Sequence, residues 1–248
     1  MRARTYAVSI RSCDDRECAM ADAVKDVVLV HGGFVDGSGW QRVYDRLTAD
    51  GYRVSVVQNP TLSLDGDIIA TRQVLNEQAG RVVLVGHSYG GVVITEAGNH
   101  PRVAALVYIA AFAPDKGESV CTLLADPPPG AAVPPIVPVS DGYFKLDRAG
   151  FHHSFAGDLP AQMAAFMADS QVPWCVDAMV GAVAEPAWRI KPSWYLVATE
   201  DQMIPVSSQR AMAERAGCVV SEVSASHSVH VSRPEAVATL VAQAAAAR

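Results

Sequence analysis

Short unbroken apolar runs alternate along this chain with longer stretches in which apolar residues recur every three or four positions. The first clear run, Val27-Val28-Leu29-Val30, stops abruptly at His31-Gly32-Gly33. A β-branched run of this length, with no polar alternation, suits a strand covered on both faces. Similar runs predict strands at 53–57, 82–85, 103–109, 194–198 and 218–223. Between them the helical rhythm predicts helices at 38–50, 65–79, 88–99, 206–216 and 234–246, the first with Ser38 as its N-cap and Gly51 as its stop. Strand and helix alternate throughout. That order predicts an α/β fold with a mostly parallel central sheet flanked by helices on both faces.

Two segments break the rhythm. Residues 1–25 are polar and mixed, and read as an N-terminal extension with a short strand near 6–10. Residues 115–191 interrupt the alternation with Pro127-Pro128-Pro129, Pro134-Pro135 and Pro138, a composition that sustains neither regular helix nor central strand. Large apolar groups follow, among them Phe144, Phe151, Phe155, Phe166, Trp174 and Trp188, with short helices expected at 159–169 and 174–184. This insertion is expected to form a helical cap over the carboxyl edge of the sheet. The core then comprises residues 26–114 and 192–248.

Composition narrows the class. Of 248 residues, 50% are hydrophobic and 19% charged, which supports a sizeable core and argues against disorder. The net charge is −6 and no dense Lys/Arg cluster occurs, which disfavours nucleic acid and anionic membranes as partners. No stretch is long and apolar enough for a membrane span. Arg11, Asp14, Asp15, Arg16 and Glu17 interrupt any secretory leader. The five cysteines, Cys13, Cys18, Cys121, Cys175 and Cys218, are odd in number and lack a Cys-x-x-Cys pair, so reduced thiols are expected rather than disulfides or a zinc site. The expectation is a cytoplasmic enzyme, with a homodimer admissible.

The chemistry centres on Gly86-His87-Ser88-Tyr89-Gly90-Gly91, which follows the run Val82–Val85 directly. Gly-x-Ser-x-Gly alone arises by chance in about one chain in ten of this length. Its place between a buried-type strand and a helix-forming run makes it specific. Such a turn presents a serine nucleophile above the sheet, and its glycines let strand and helix approach closely. The attacked carbonyl becomes an oxyanion that needs two donors. The backbone N–H of Tyr89 supplies one, and the His31-Gly32-Gly33-Phe34 loop supplies the other, through Gly33 or alternatively Phe34. His31 is expected to support that loop.

Serine needs a base, and the base needs an orienting carboxylate. In the chain order Ser, acid, His, five histidines follow Ser88. His100 lies near a helix end, and His152 and His153 lie in the cap. His227 and His230 fall in the loop before the last helix, where the base belongs; His227 is preferred because Ser224-Ala225-Ser226 gives it a short flexible approach. The acid is expected in the loop 199–205, as Asp201, with Glu200 next and Asp115 behind it.

These segments together resemble the α/β-hydrolases, and more narrowly small bacterial esterases related to plant methyl-ester esterases and hydroxynitrile lyases. The resemblance spans about 26–247 and rests on HGGFVDGSGW, GHSYGG, VYIAAFAPDKGES, FMADSQVPW, VATEDQMIP and SHSVHVSRPEAVA. It implies a Ser88–His227–Asp201 triad, a sheet of the eight-stranded type, a mobile cap and no cofactor or metal. Hydroxynitrile lyases of this group carry lysine directly after the catalytic histidine. Here that residue is Ser228, so hydrolysis of a small-molecule carboxylic ester is favoured. Phe34 and Trp174 are the expected substrate-binding residues, and the aromatic cap suits an apolar acyl or alcohol portion. The competing readings are lyase or cofactor-free oxygenase chemistry on the same groups, and a binding protein without catalysis.

Overall fold

The apolar runs are strands in the computed structural model, which describes residues 24–247. Strands β1 (Asp26–Val30), β2 (Arg53–Val57), β3 (Val82–His87) and β4 (Val103–Ile109) are linked by helices α1 (Gln41–Ala49), α2 (Leu64–Glu77) and α3 (Gly90–Ala97). An insertion follows with α4 (Val120–Leu123), β5 (Ile136–Ser140), β6 (Tyr143–Leu146), α5 (Arg148–Phe155), α6 (Ala161–Asp169), β7 (Trp174–Cys175) and α7 (Val176–Val180). The chain then returns through β8 (Ser193–Ala198), α8 (Val206–Arg215), β9 (Val219–Val223), α9 (Val229–Ser232) and α10 (Pro234–Ala246).

The main sheet has the order β2-β1-β3-β4-β8-β9, and all its pairings are parallel. Its four inner strands are buried along their whole length, as continuous apolar runs require. Alternate side chains feed two cores. Val28, Val30, Leu84, Leu106 and Tyr195 pack towards α3 and the insertion, whereas Val27, Leu29, Val85, Val107 and Leu196 pack with Leu47, Val237 and Val241 on the other face.

Several expectations shift. The helix expected from Ser38 opens with a 3₁₀ turn, Gly37–Trp40, capped by Asp36; the Ser38 hydroxyl itself bonds to the Asp36 carboxylate and is not free to cap. The helix expected from Ser88 begins at Gly90, because Ser88 adopts a left-handed φ of 54°. The main sheet shows six strands among the described residues, where the resemblance implied the eight-stranded type. The cap carries a three-stranded sheet, β5-β6-β7, besides its helices. Pro138 is tolerated there because β5 is an edge strand, beside a register shift. The helix expected at 174–184 shrinks to α7, since Trp174 and Cys175 pair with β6. The strand expected near 6–10 lies outside the described residues. No helix among them is long and apolar enough to cross a membrane.

Candidate active site

The carboxyl ends of β1, β3, β8 and β9 carry the predicted site residues; Asp201 and His227 are hydrogen-bonded to each other, whereas Ser88 makes no hydrogen bond to His227 Nε2. At the end of β3, Ser88 is gripped through its backbone: its N–H donates to the Ile109 carbonyl (3.3 Å), and its carbonyl accepts from Gly91 (2.9 Å) and Phe112 (3.1 Å). Bonds on both sides hold a positive φ that a serine rarely adopts alone. The crossing of β1 by α3 leaves no room for a side chain at Gly90, where a Cβ would lie 2.5 Å from the Val30 carbonyl oxygen.

His227 donates from Nδ1 to Asp201 Oδ2 at 2.7 Å, and both residues are buried. Asp201 Oδ1 accepts from the Met203 and Ile204 N–H groups (2.7 and 3.0 Å), and Oδ2 also accepts from Gln209 Nε2 (2.8 Å). The carboxylate is thus fully engaged, and with the proton on Nδ1 the lone pair of His227 sits on Nε2. That atom is buried and has no hydrogen-bond partner among the described residues. Glu200 instead accepts from Ser224 at the surface, and Asp115 pairs with Arg189. His100 meets Asn76 (3.0 Å), and His152 the Leu159 carbonyl (3.0 Å).

His230 packs behind this pair without a carboxylate. Its ring lies 4.1 Å from that of His87 and 4.8 Å from that of Trp40. Burial, reinforced by repulsion from His227 and His31, pushes its pKa down to about 3. His87 is lowered in the same way, first by burial and then by His230 and His227, and its Nε2–H donates to the His227 carbonyl (2.9 Å). These depressed values make the fold acid-labile. Below the ordinary value of 6.5 the unfolded chain takes up a proton that folded His230 refuses until about pH 3, so stability falls as pH falls through that window. Denaturant midpoints are expected to drop across it, and His230→Phe should remove about one proton from the slope.

On the other side, His31 fixes its loop. Its Nε2 accepts from the Asn59 N–H (2.8 Å), so the proton rests on Nδ1, which donates to the Gly32 carbonyl (2.9 Å); burial lowers its pKa. Gly32 abuts the nucleophile, since a Cβ there would lie 2.7 Å from Ser88 Cβ. The cap roofs the next residue: a Cβ on Gly33 would lie 2.6 Å from the Trp174 ring. Trp174 meets Phe34 edge-on at 5.2 Å and Tyr89 at 5.0 Å between ring centroids.

Sequence reasoning missed Asp67. It is fully buried and accepts from Tyr89 Oη (2.6 Å) and the Thr61 N–H (2.8 Å), with no cation paired to it among the described residues. Burial raises its pKa, against the pull of those two bonds. An acidic residue in the first turn of a helix is so ordinary that nothing in the sequence marks it. Also missed was the junction between the His227 loop and the cap, where Ser228 Oγ donates to the Phe155 carbonyl (2.8 Å). Among the described residues no cluster of His, Cys, Asp or Glu could hold a metal ion.

The sequence profile of the Alpha/beta hydrolase family matches residues 27–240. The chain belongs to that family. A pyrethroid hydrolase from Sphingobium wenxiniae is 31% identical over 253 residues, covering 88% of this chain and 87% of that protein. A crystal structure of a pyrethroid hydrolase superposes with a TM-score of 0.77 at 25% identity, covering 90% and 98% of the two chains. A methylesterase from Arabidopsis shares the fold, with a TM-score of 0.74 at 18% identity and coverage of 89% and 98%. This α/β-hydrolase is accordingly a hydrolase of the carboxylesterase type.

Proposed function

We propose that the enzyme hydrolyses carboxylic esters through an acyl-enzyme formed on Ser88. The observation that carries this reading is the Asp201–His227 pair, whose buried Nε2 is left without a partner in a site that also holds the strained, backbone-gripped Ser88. In this scheme His227 Nε2 takes the Ser88 proton as Oγ attacks the carbonyl carbon. The Tyr89 and Gly33 N–H groups stabilise the oxyanion. The protonated imidazole then delivers its proton to the departing alkoxide, and the same nitrogen activates the water that releases the acid. Asp201 holds the tautomer that leaves Nε2 basic.

Substrate shape follows from the walls. Trp174 and Phe34 bound the site with aromatic surface. A cavity of about 240 Å³ lies between Phe112, Leu123, Leu124, Ile204 and Met212, with Arg215 also lining it. Two of its lining residues are backbone neighbours of the site, Phe112 donating to the Ser88 carbonyl and Ile204 to Asp201. An ester with a sizeable apolar portion fits such surroundings, and the likeness to a pyrethroid hydrolase makes pyrethroids a class to assay. The lyase reading is weakened at Ser228, whose hydroxyl is turned to the Phe155 carbonyl and offers no positive charge. Free thiols at Cys121, Cys175 and Cys218 fit a cytoplasmic setting.

The test pairs short and medium p-nitrophenyl esters with a fluorophosphonate probe. Turnover and stoichiometric labelling are expected, both abolished in Ser88→Ala. Labelling without turnover would point to proton-transfer lyase chemistry, and absence of both to a binding protein.

A further inference from the structure

The catalytic histidine candidate is bracketed by two serines, and both are tied to one short piece of the cap. Ser228 donates to the Phe155 carbonyl twice, from its N–H at 2.9 Å and from its hydroxyl at 2.8 Å. The Ser226 hydroxyl donates to Asp158 Oδ1 at 2.5 Å and approaches the same Phe155 carbonyl at 3.4 Å. The Phe155 ring then meets the His227 imidazole edge-on, 4.9 Å between centroids. Residues 155–158 therefore touch His227 and both its neighbours at once.

The carboxylate of Asp158 is not what packing alone would select. It sits half-buried with no cation paired to it among the described residues, where its Oδ2 is also buried without a hydrogen-bond partner. The Ser232 hydroxyl, one turn further on in α9, lies near the same group but outside hydrogen-bond geometry. Burial opposes the charge, but the Ser226 and Ser232 hydroxyls and nearby backbone N–H groups outweigh it and hold the Asp158 pKa below the ordinary carboxylate value, so the group stays ionised. What the arrangement gains is direction: an ionised carboxylate is an acceptor only, so the Ser226 hydroxyl is forced to point its proton into the cap.

We propose that Asp158 is a positioning residue for the catalytic base: through Ser226, and together with the Phe155 carbonyl on Ser228, it clamps the backbone on both sides of His227 so that the seated cap sets the direction of Nε2. Catalysis and cap seating are then coupled. The proposal rests on the esterase reading for what His227 does, but not for where it is held.

Two measurements test it on the full-length enzyme. With p-nitrophenyl acetate, Asp158→Ala and Ser226→Ala should each lower kcat about 10- to 100-fold with KM nearly unchanged, because a base displaced by a fraction of an ångström loses rate rather than binding. The double variant should be no worse than the worse single one. Asp158→Asn, which keeps an acceptor for Ser226, should recover most of the rate. Without substrate, the low-field proton resonance of His227 Nδ1–H should broaden in the two alanine variants and persist in Asp158→Asn. Equal losses in Asp158→Asn and Asp158→Ala, additive losses in the double variant, or an unaltered resonance in a folded Ser226→Ala protein would overturn the proposal. If the wild type turns over no ester, the functional reading fails, while the resonance still decides the clamp.

Discussion

Replacing His227 with alanine is expected to lower kcat on p-nitrophenyl esters by roughly 10⁶-fold, about as much as removing Ser88 itself. The two losses are equal because serine and histidine act as one unit: without a lone pair to accept the hydroxyl proton, Ser88 is a poor nucleophile at neutral pH. His230→Gln supplies the contrast. It removes a ring that lies only a few residues away and packs at a tilt against His87, but that ring has no carboxylate to orient it among the described residues, and burial holds its pKa near 3, too low for a base working at neutral pH. Its variant is expected to keep most of the activity and lose mainly the acid sensitivity. Parallel kinetics and denaturation on the two proteins decide the assignment. A larger loss of kcat from His230 than from His227 would reverse it.

The second large effect is expected at Asp201. Asp201→Asn should lower kcat by about 10⁴-fold, because an amide in place of Oδ2 repels the Nδ1–H and favours the opposite tautomer. Rotating the amide offers no escape. All four of its contacts arrive as donors: two backbone N–H groups on Oδ1, and the His227 and Gln209 N–H groups on Oδ2. Either orientation sets an NH₂ against a donor, so a loss of about 1–3 kcal/mol in stability should accompany the kinetic one. The pair of readouts distinguishes this residue from a surface carboxylate. Glu200→Gln, at the exposed end of the same loop, should change neither by much.

The fold and the places of the candidate residues on it were legible in the sequence, for identifiable reasons. The inner strands show as unbroken β-branched runs because both faces of the sheet are covered, and the loops at their carboxyl ends then carry Ser88, Asp201 and His227 in the order that the topology imposes. The preference for His227 over His230 rested in the sequence only on the short approach Ser224-Ala225-Ser226. They are three residues apart, and it is the packing that turns one towards Asp201 and seats the other, in α9, against the rings of His87 and Trp40. The cap was harder still. Its short strands pair across loops, so Trp174 and Cys175 leave the helix that periodicity suggests for the ladder of β6. Asp67 and Asp158 were invisible because their importance comes from what surrounds them, not from what they are. A carboxylate in a first helical turn or after a helix end is ordinary until burial removes its water.

The contacts between cap and core also say how a substrate reaches Ser88. The Val172 N–H donates to the Phe34 carbonyl (3.0 Å), the Cys175 N–H to the Thr61 carbonyl (3.0 Å), and Trp188 Nε1 to the Pro114 carbonyl (2.8 Å). With the two serines at Phe155, these bonds tie the insertion to the core at several points along its sequence, the last of them at its root. Swinging the insertion away from the core would break the bonds at Phe155, Val172 and Cys175 together. If these bonds persist during turnover, substrate enters through the seams between them, and enlarging a seam-lining side chain is expected to slow the larger esters most.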